Sequence, residues 1–283
     1  MATTFYNTAT LSYNGVTTTS NTVTGEIADN LTVAKTALTD GYTAGAEKTF
    51  VINLVNTGQT ALNGLTVTDD LGTYTLETGN ATPLTYAEGT AQYFVGGVLQ
   101  TEPTATAGPP LIFTGINVPA GENAAIVYQA TVNEFAPLDV GGSITNTVTV
   151  TGDGLTAPAT ASATITVENE PMLSIGKAVN PTSVTSDGTL TYTFTINNTG
   201  NTAADATDNV TVTDAFTPEL SALTVTLDGV PLSAGTGYTY SGGTFRTVPG
   251  VITVPAATYA QTAATGAWTV TPGAAILTVA GTV

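Results

Sequence analysis

The chain has 283 residues, 42% of them hydrophobic, and four Lys+Arg stand against 21 Asp+Glu for a net charge of −17. That length leaves room for two domains with cores of their own. So acidic a surface argues against nucleic acid or anionic membrane as a partner. The sequence contains neither cysteine nor histidine, so disulfides, thiol chemistry, the commonest metal ligand and a switch near neutral pH are all excluded. No apolar run is long enough for a membrane span, and nothing calls for a cofactor or a metal. The first residues, Met1 to Asn7, lack the basic and apolar regions of a secretory signal.

Taken in order, the chain opens on a segment that reads as the end of a domain. Phe5-Tyr6-Asn7-Thr8-Ala9-Thr10-Leu11 repeats Ile144-Thr145-Asn146-Thr147-Val148-Thr149-Val150. Asn14-Gly15 and Asp153-Gly154 follow as paired hairpin turns, because these residues tolerate positive φ. A second Thr-rich strand comes after each turn, over 18–27 and 159–167. Residues 144–167 close one domain, whereas residues 5–27 have no domain before them.

From there the recurrent signal is alternation of apolar residues with Thr in runs of five to eight, as in Leu65-Thr66-Val67-Thr68 and Leu223-Thr224-Val225-Thr226-Leu227. Turn residues break the runs every eight to twelve positions, and no stretch has helical periodicity. This predicts an all-β protein of two tandem immunoglobulin-like antiparallel β-sandwich domains. A long internal repeat sets the boundaries. Leu31 to Lys35 matches Leu173 to Lys177, Asn56-Thr57-Gly58 matches Asn198-Thr199-Gly200, and Thr66 to Asp69 matches Thr211 to Asp214. Val118-Pro119-Ala120 matches Val254-Pro255-Ala256, and Ala124-Ala125-Ile126 is matched to Ala274-Ala275-Ile276. The expected organisation is a donor hairpin at 1–27, a complete domain at 28–171, and a second domain at 172–283 that lacks its closing hairpin.

A sandwich without its last two strands leaves core side chains and a sheet edge uncovered. The connector from Glu26 to Asn30 spans only about 17 Å fully extended, too short to carry the hairpin past domain 1. The expectation is therefore donation in trans, head to tail, which propagates as a homopolymer unless it closes into a ring. Phe5, Ala9 and Leu11 would form the assembly interface.

The Lys-bearing first strand, the Tyr192 to Gly200 strand, the 211–214 strand and the closing strand 144–147 together resemble the bacterial cell-surface repeat family catalogued as domain of unknown function eleven. The resemblance covers nearly the whole chain. It implies an extracellular structural protein of a bacterial cell or spore surface, and similar pilin domains carry Lys–Asn isopeptide cross-links. Residues two apart on a strand share a face. Lys35 is in phase with Leu31 and Val33, Asp69 with Leu65 and Val67, and Asn146 with Ile144, Val148 and Val150. Lys177 and Asp214 repeat the first two positions, and Asn7 repeats the third. A buried amine and carboxyl lose their charges or pair. A neutral lysine amine is a nucleophile, and a protonated aspartate can polarise a carboxamide and hand a proton to departing ammonia. Lys35, Asp69 and Asn146 would react within domain 1, and Lys177, Asp214 and a neighbour's Asn7 between subunits. A buried ion pair beside an asparagine, with no bond formed, fits the same phases.

Asp69-Asp70 and the Asp205 to Asn209 cluster lack the spacing of a calcium loop, and Gly96-Gly97 and Gly242-Gly243 read as hairpin turns. Tyr86, Tyr93 and Phe94 are a possible binding face, and Trp268 a core or interface aromatic. The alternative to a filament subunit is a surface adhesin recognising glycan or protein through exposed hairpins. No pair of carboxylates has an apparent substrate cleft, so an enzyme acting on an external substrate is not expected.

Overall fold

The computed structural model describes residues 3–27, 30–77 and 79–283, and their regular structure is β-strand apart from one 3-10 turn at Ala206–Asp208. The hairpin comprises β1 (Thr3–Asn7), β2 (Thr10–Tyr13), β3 (Val16–Thr19) and β4 (Val23–Ile27). Next come β5 (Leu31–Ala37), β6 (Gly41–Tyr42), β7 (Glu47–Asn56) and β8 (Leu62–Asp69). Six short or medium strands follow: β9 (Tyr74–Leu76), β10 (Gly79–Ala81), β11 (Leu84–Tyr86), β12 (Gln92–Val95), β13 (Val98–Leu99) and β14 (Thr104–Thr106). The first sandwich is completed by β15 (Leu111–Val118), β16 (Asn123–Val132), β17 (Ser143–Thr151) and β18 (Ala159–Val167). The second contains β19 (Leu173–Asn180), β20 (Thr189–Asn198), β21 (Thr213–Ala215), β22 (Ser221–Leu227) and β23 (Val230–Pro231). It continues with β24 (Tyr238–Ser241), β25 (Thr244–Thr247), β26 (Thr258–Gln261), β27 (Trp268–Thr271) and β28 (Gly273–Thr282). Two compact units result, one of Met1–Pro137, Ser143–Thr166 and Ala263–Ala267, the other of Leu138–Gly142, Val167–Thr262 and Trp268–Val283.

In the first unit one sheet runs β13-β12-β16-β7-β5, with β11 also on β16, and the other runs β14-β15-β8-β17-β18-β6. Period-two alternation places Phe50, Ile52 and Leu54 of β7 and Leu65 and Val67 of β8 inside, with Val51 and Asn53 of β7 and Thr66 and Thr68 of β8 on the outer faces. Phe50 stacks on Tyr128 at 5.5 Å between ring centroids, and Phe113 and Tyr86 pack against the same ring at 5.8 and 6.1 Å. Tyr86 and Tyr93 are thus core residues on strands that pair with β16, not a binding face.

The second unit repeats this plan only in part. Its larger sheet is β19-β20-β28-β22-β23, and Lys177 pairs with Phe194 as Lys35 pairs with Ile52. Its other sheet is β21-β25-β24, corresponding to β8-β15-β14. In the first unit β17, β18 and β6 continue beyond β8, whereas among the described residues nothing continues beyond β21. The expected strand over 211–214 is accordingly formed only at its end, where Thr213–Ala215 is in register with β25.

Two further expectations are corrected. Leu54 pairs with Ala124 and Ile196 with Ala275, so Ala124 and Ile126 correspond to Ala275 and Leu277, one residue on from the sequence match. A one-residue slip exchanges the two faces of a strand, and Ile276 indeed points out while Ala275 and Leu277 are buried. Asp153-Gly154 lies in a loop over 152–158 rather than in a two-residue turn, because Gly152 closes against Leu65 before the chain reverses. Asn14-Gly15, at φ 46° and 79°, is the two-residue turn expected, as are Gly96-Gly97 and Gly242-Gly243.

The repeated Asn-Thr-Gly is a structural pin. The buried Asn56 side chain donates to Thr60 O at 2.8 Å and Val118 O at 3.1 Å, and accepts from Gly58 N at 2.9 Å. Asn198 does the same with Thr202 O, Pro255 O and Gly200 N. Asn56→Ala strands these three backbone groups in the interior, so denaturant unfolding of the first unit should lose about 3 kcal/mol. A loss below about 0.5 kcal/mol, the level of an ordinary surface change, would contradict the pin.

Candidate functional site

The first unit holds a buried polar cluster between its sheets. Lys35 on β5 and Asp69 at the end of β8 have fully buried side chains, joined by Nζ to Oδ2 at 2.6 Å. Their positions follow from strand phase, since each is the next inward residue after an apolar one. The Lys35 ammonium also lies 5.3 Å from the Phe50 ring centroid and 5.9 Å from that of Tyr128. Asp69 Oδ1 accepts from Leu71 N at 3.0 Å. Asn146 on β17 is also buried, and β17 approaches β5 across the interior.

Asp69 and Asn146 do not bond directly. The Tyr128 hydroxyl stands between them, donating to Asp69 Oδ2 at 2.6 Å and accepting from Asn146 Nδ2 at 3.0 Å. Asn146 Oδ1 is buried without a hydrogen-bond partner. The phases of Lys35, Asp69 and Asn146 do not by themselves reveal Tyr128, because they leave Asp69 free to reach the carboxamide directly. The available signal was its phase, two residues beyond Ile126 on the inward face of a core strand.

Burial lowers the Lys35 pKa from its ordinary 10.5, and the opposing attraction of Asp69 only partly offsets this. Burial pushes the Tyr128 phenol well above its usual value, and the adjacent Asp69 carboxylate pushes it the same way. Burial thus makes the Lys35 amine easier to deprotonate, beside a phenol that keeps its proton. Asp70, outside this network, caps the corner by accepting from Gly72 N and Thr147 N, each at 2.8 Å.

The second unit brings together Lys177 and Asp214, with Nζ and Oδ2 at 2.5 Å. Lys177 lies 4.8 Å from the ring of Tyr192 and 5.5 Å from those of Phe194 and Phe216. The pair is not buried: the Lys177 side chain is 43% exposed, where that of Lys35 is 0%. The register Phe194↔Leu277 places Val279 where the first unit has Tyr128. A tyrosine returns at Tyr192, which occupies the place of Phe50.

Asn7, Phe5, Ala9 and Leu11 belong to a hairpin whose described side chains are almost all exposed. Phe5 is 48% and Leu11 62% exposed. Asn7 pairs with Val23 as Asn146 pairs with Ala163. The ladder breaks at Thr8–Ala9, where Ala9 N donates to Ser20 Oγ and Ala9 O accepts from Ser20 N. The second half, with Leu11 on Thr18, is one residue out of step with the Val150↔Ala159 pairing of β17–β18. The Phe5 ring lies over Gly25, where an added Cβ would come within 2.4 Å of it. Residues 28–29 of the connector lie outside the described residues.

Asp205 and Asp208 have structural roles. Asp205 caps the 3-10 turn by accepting from Thr207 N, and Asp208 accepts from Asp205 N. Trp268 is a half-buried residue of β27.

These features define an all-β class of protein, sandwich units with an amine–carboxyl pair at a fixed place between the sheets. The chain is similar to the major pilin subunit of Bacillus cereus, at 10% identity over 87% of this chain and 64% of that one, with a TM-score of 0.38. It is similar to a C-terminal fragment of the major pilin of Streptococcus agalactiae, at 14% identity over 84% and 82%, with a TM-score of 0.36. It also resembles the collagen-binding domain of a Staphylococcus aureus adhesin, at 12% identity over 50% and 99%, with a TM-score of 0.31. No protein-family model matches the chain, and no curated protein matches it. Among the described residues no helix is long and apolar enough to cross a membrane.

The lowered Lys35 pKa gives a pH dependence. In an Asn146→Ala chain Lys35 stays a free amine. At low pH the folded state bears the full cost of a buried ammonium. As pH rises through the lowered pKa the folded state loses the proton before the unfolded state does. Stability of the first unit should therefore increase with pH until it levels off near the ordinary lysine value of 10.5. Urea midpoints that stay flat from neutral pH to about 10 would contradict a depressed lysine.

Proposed function

We propose that this protein is a structural subunit of an extracellular filament, built by donating the hairpin of one copy to the second unit of the next. The observation that carries this reading is a matched surplus and deficit. Among the described residues the smaller sheet of the second unit stops at β21, the counterpart of β8, and a hairpin with the side-chain pattern of β17–β18 stands exposed over 4–24. The inward face of β19 is bare as well, with Ile175 58% exposed. A bare apolar face and an open edge call for a partner strand.

The register within the first unit gives the docked geometry. Val148 pairs with Asp69 and Val150 with Val67, so Ala9 would pair with Asp214 and Leu11 with Val212. Phe5 and Leu11 then enter the core as Ile144 and Val150 do, and Asn7 takes the strand position that Asn146 holds in the first unit. Loss of ammonia would seal each junction with an uncharged amide. Docking requires the break at Thr8–Ala9 to be drawn straight, because β17 is continuous over Ser143–Thr151. The alternative, an adhesin, has no comparable observation in its favour.

The register is testable because the chain has no cysteine of its own. Thr149 pairs with Thr68, so a Thr10→Cys copy mixed with a Thr213→Cys copy should give a disulfide-linked dimer on oxidation. Opposed strand residues lie within disulfide reach. Cross-linking no greater than with Cys at Tyr13, an out-of-register site, would reject the docked geometry.

The seal is tested separately. Boiling assembled protein in detergent should leave a ladder of oligomers, and Asn7→Ala should reduce it to monomer while fibres still grow, since little apolar area is lost. An Asn7→Ala ladder indistinguishable from wild type would remove Asn7 from the junction.

A further inference from the structure

The inference rests on the Lys–Asn sealing chemistry proposed above, carried to Lys35 and Asn146 of the first unit. We infer that the Tyr128 hydroxyl is the catalytic proton donor to the leaving nitrogen of Asn146, relaying a proton from Asp69. Asn146 is held by Nδ2, the atom that must depart, and its partner is the Tyr128 oxygen at 3.0 Å. The same oxygen donates to Asp69 Oδ2 at 2.6 Å, and that carboxylate oxygen also accepts from Lys35 Nζ at 2.6 Å. Amine, carboxyl, phenol and leaving group therefore form one unbroken chain of hydrogen bonds.

The step balances along that chain. Lys35 passes a proton to Asp69, and the neutral amine attacks Cγ of Asn146, forming the new C–N bond. Tyr128 gives its proton to Nδ2 and takes the one on Asp69, the Cγ–Nδ2 bond breaks, and ammonia leaves. The second surplus proton of the lysine nitrogen moves to Asp69. The ammonium and the carboxylate are thereby replaced by an amide, ammonia and a neutral carboxylic acid, so no net charge is left in the interior. A phenol acts here as a relay and not as an acid that stays ionised, in keeping with its raised pKa.

The surroundings are built for that role. The Tyr128 ring is fixed among Phe50, Phe113 and Tyr86, with no part of it exposed. That packing holds the hydroxyl between its two partners without a rotamer search. The second unit has Val279 at this place, so the relay belongs to the intramolecular bond alone.

The test uses full-length chain recovered unfolded, with Lys35 and Asn146 unlinked, then refolded while its intact mass is followed. The wild-type chain should lose one ammonia from the first unit, with a branched Lys35–Asn146 peptide in the digest. Tyr128→Phe keeps the ring packing and should slow that loss by at least about a hundredfold, within the usual range for a proton-transfer group. The inter-subunit ladder should be unaffected. Difluorotyrosine at 128, a more acidic phenol, should restore the bond with a pH profile shifted from that of wild type. Tyr128→Phe that loses ammonia at the wild-type rate would overturn the relay and leave the Lys35–Asn146 bond standing. A wild-type chain that folds and keeps its full mass would overturn both the relay and that bond. Should Tyr128→Phe fail to fold, the difluorotyrosine profile decides: an unchanged profile overturns the relay.

Discussion

The backbone edge on the far side of β8 is the constraint on which the rest of the molecule depends. A strand has donors and acceptors along both edges, and each buried one must be met. In the first unit β8 lies between β15 and β17 and runs for eight residues, Leu62–Asp69. Among the described residues its counterpart β21 has a neighbour on one side only, and it runs for three. Residues 210–212 have the same apolar–Thr alternation as the strand that they correspond to, yet do not extend. Pairing, not propensity, decides strand length here.

The same missing neighbour sets the electrostatics of the two lysines. Covered by β17, Lys35 loses its water and its pKa falls. Without such a cover Lys177 makes the corresponding ion pair while partly hydrated. An exposed pair of this kind contributes little to stability, whereas a buried pair is costly to form and more costly to break. Converting it to an amide removes the charges from the interior. A docked hairpin would shift the second site towards the conditions of the first, coupling assembly to reactivity at the junction.

The hairpin itself is poised between folded and available. A two-stranded ribbon is marginal in water, and this one keeps its ladder through an Asn14-Gly15 turn and Thr-rich strands. Phe5 covers Gly25 on one face, which partly shields the ring that would enter a neighbour's core. The break at Thr8–Ala9 interrupts the strand where β17 is continuous.

Much of this was legible from the residues. Alternation of apolar residues with Thr determined the strands and the inward phase of Lys35, Asp69 and Asn146, because a period of two leaves a side chain no choice of face. The repeat between 5–11 and 144–150 marked the hairpin before any coordinates. Tertiary structure alone decided the rest. Register between neighbouring strands showed Ala124 to be the equivalent of Ala275 and not of Ala274, since local pattern cannot distinguish two alanines in a row. It showed Tyr128 between Asp69 and Asn146, a contact across 59 and 18 residues of chain that no short-range spacing encodes. It also showed that Tyr86 and Tyr93, aromatic residues in a turn-rich stretch, are drawn onto β16 and buried. Phase belongs to one strand and can be read along it; a meeting of side chains belongs to several strands and requires their registers.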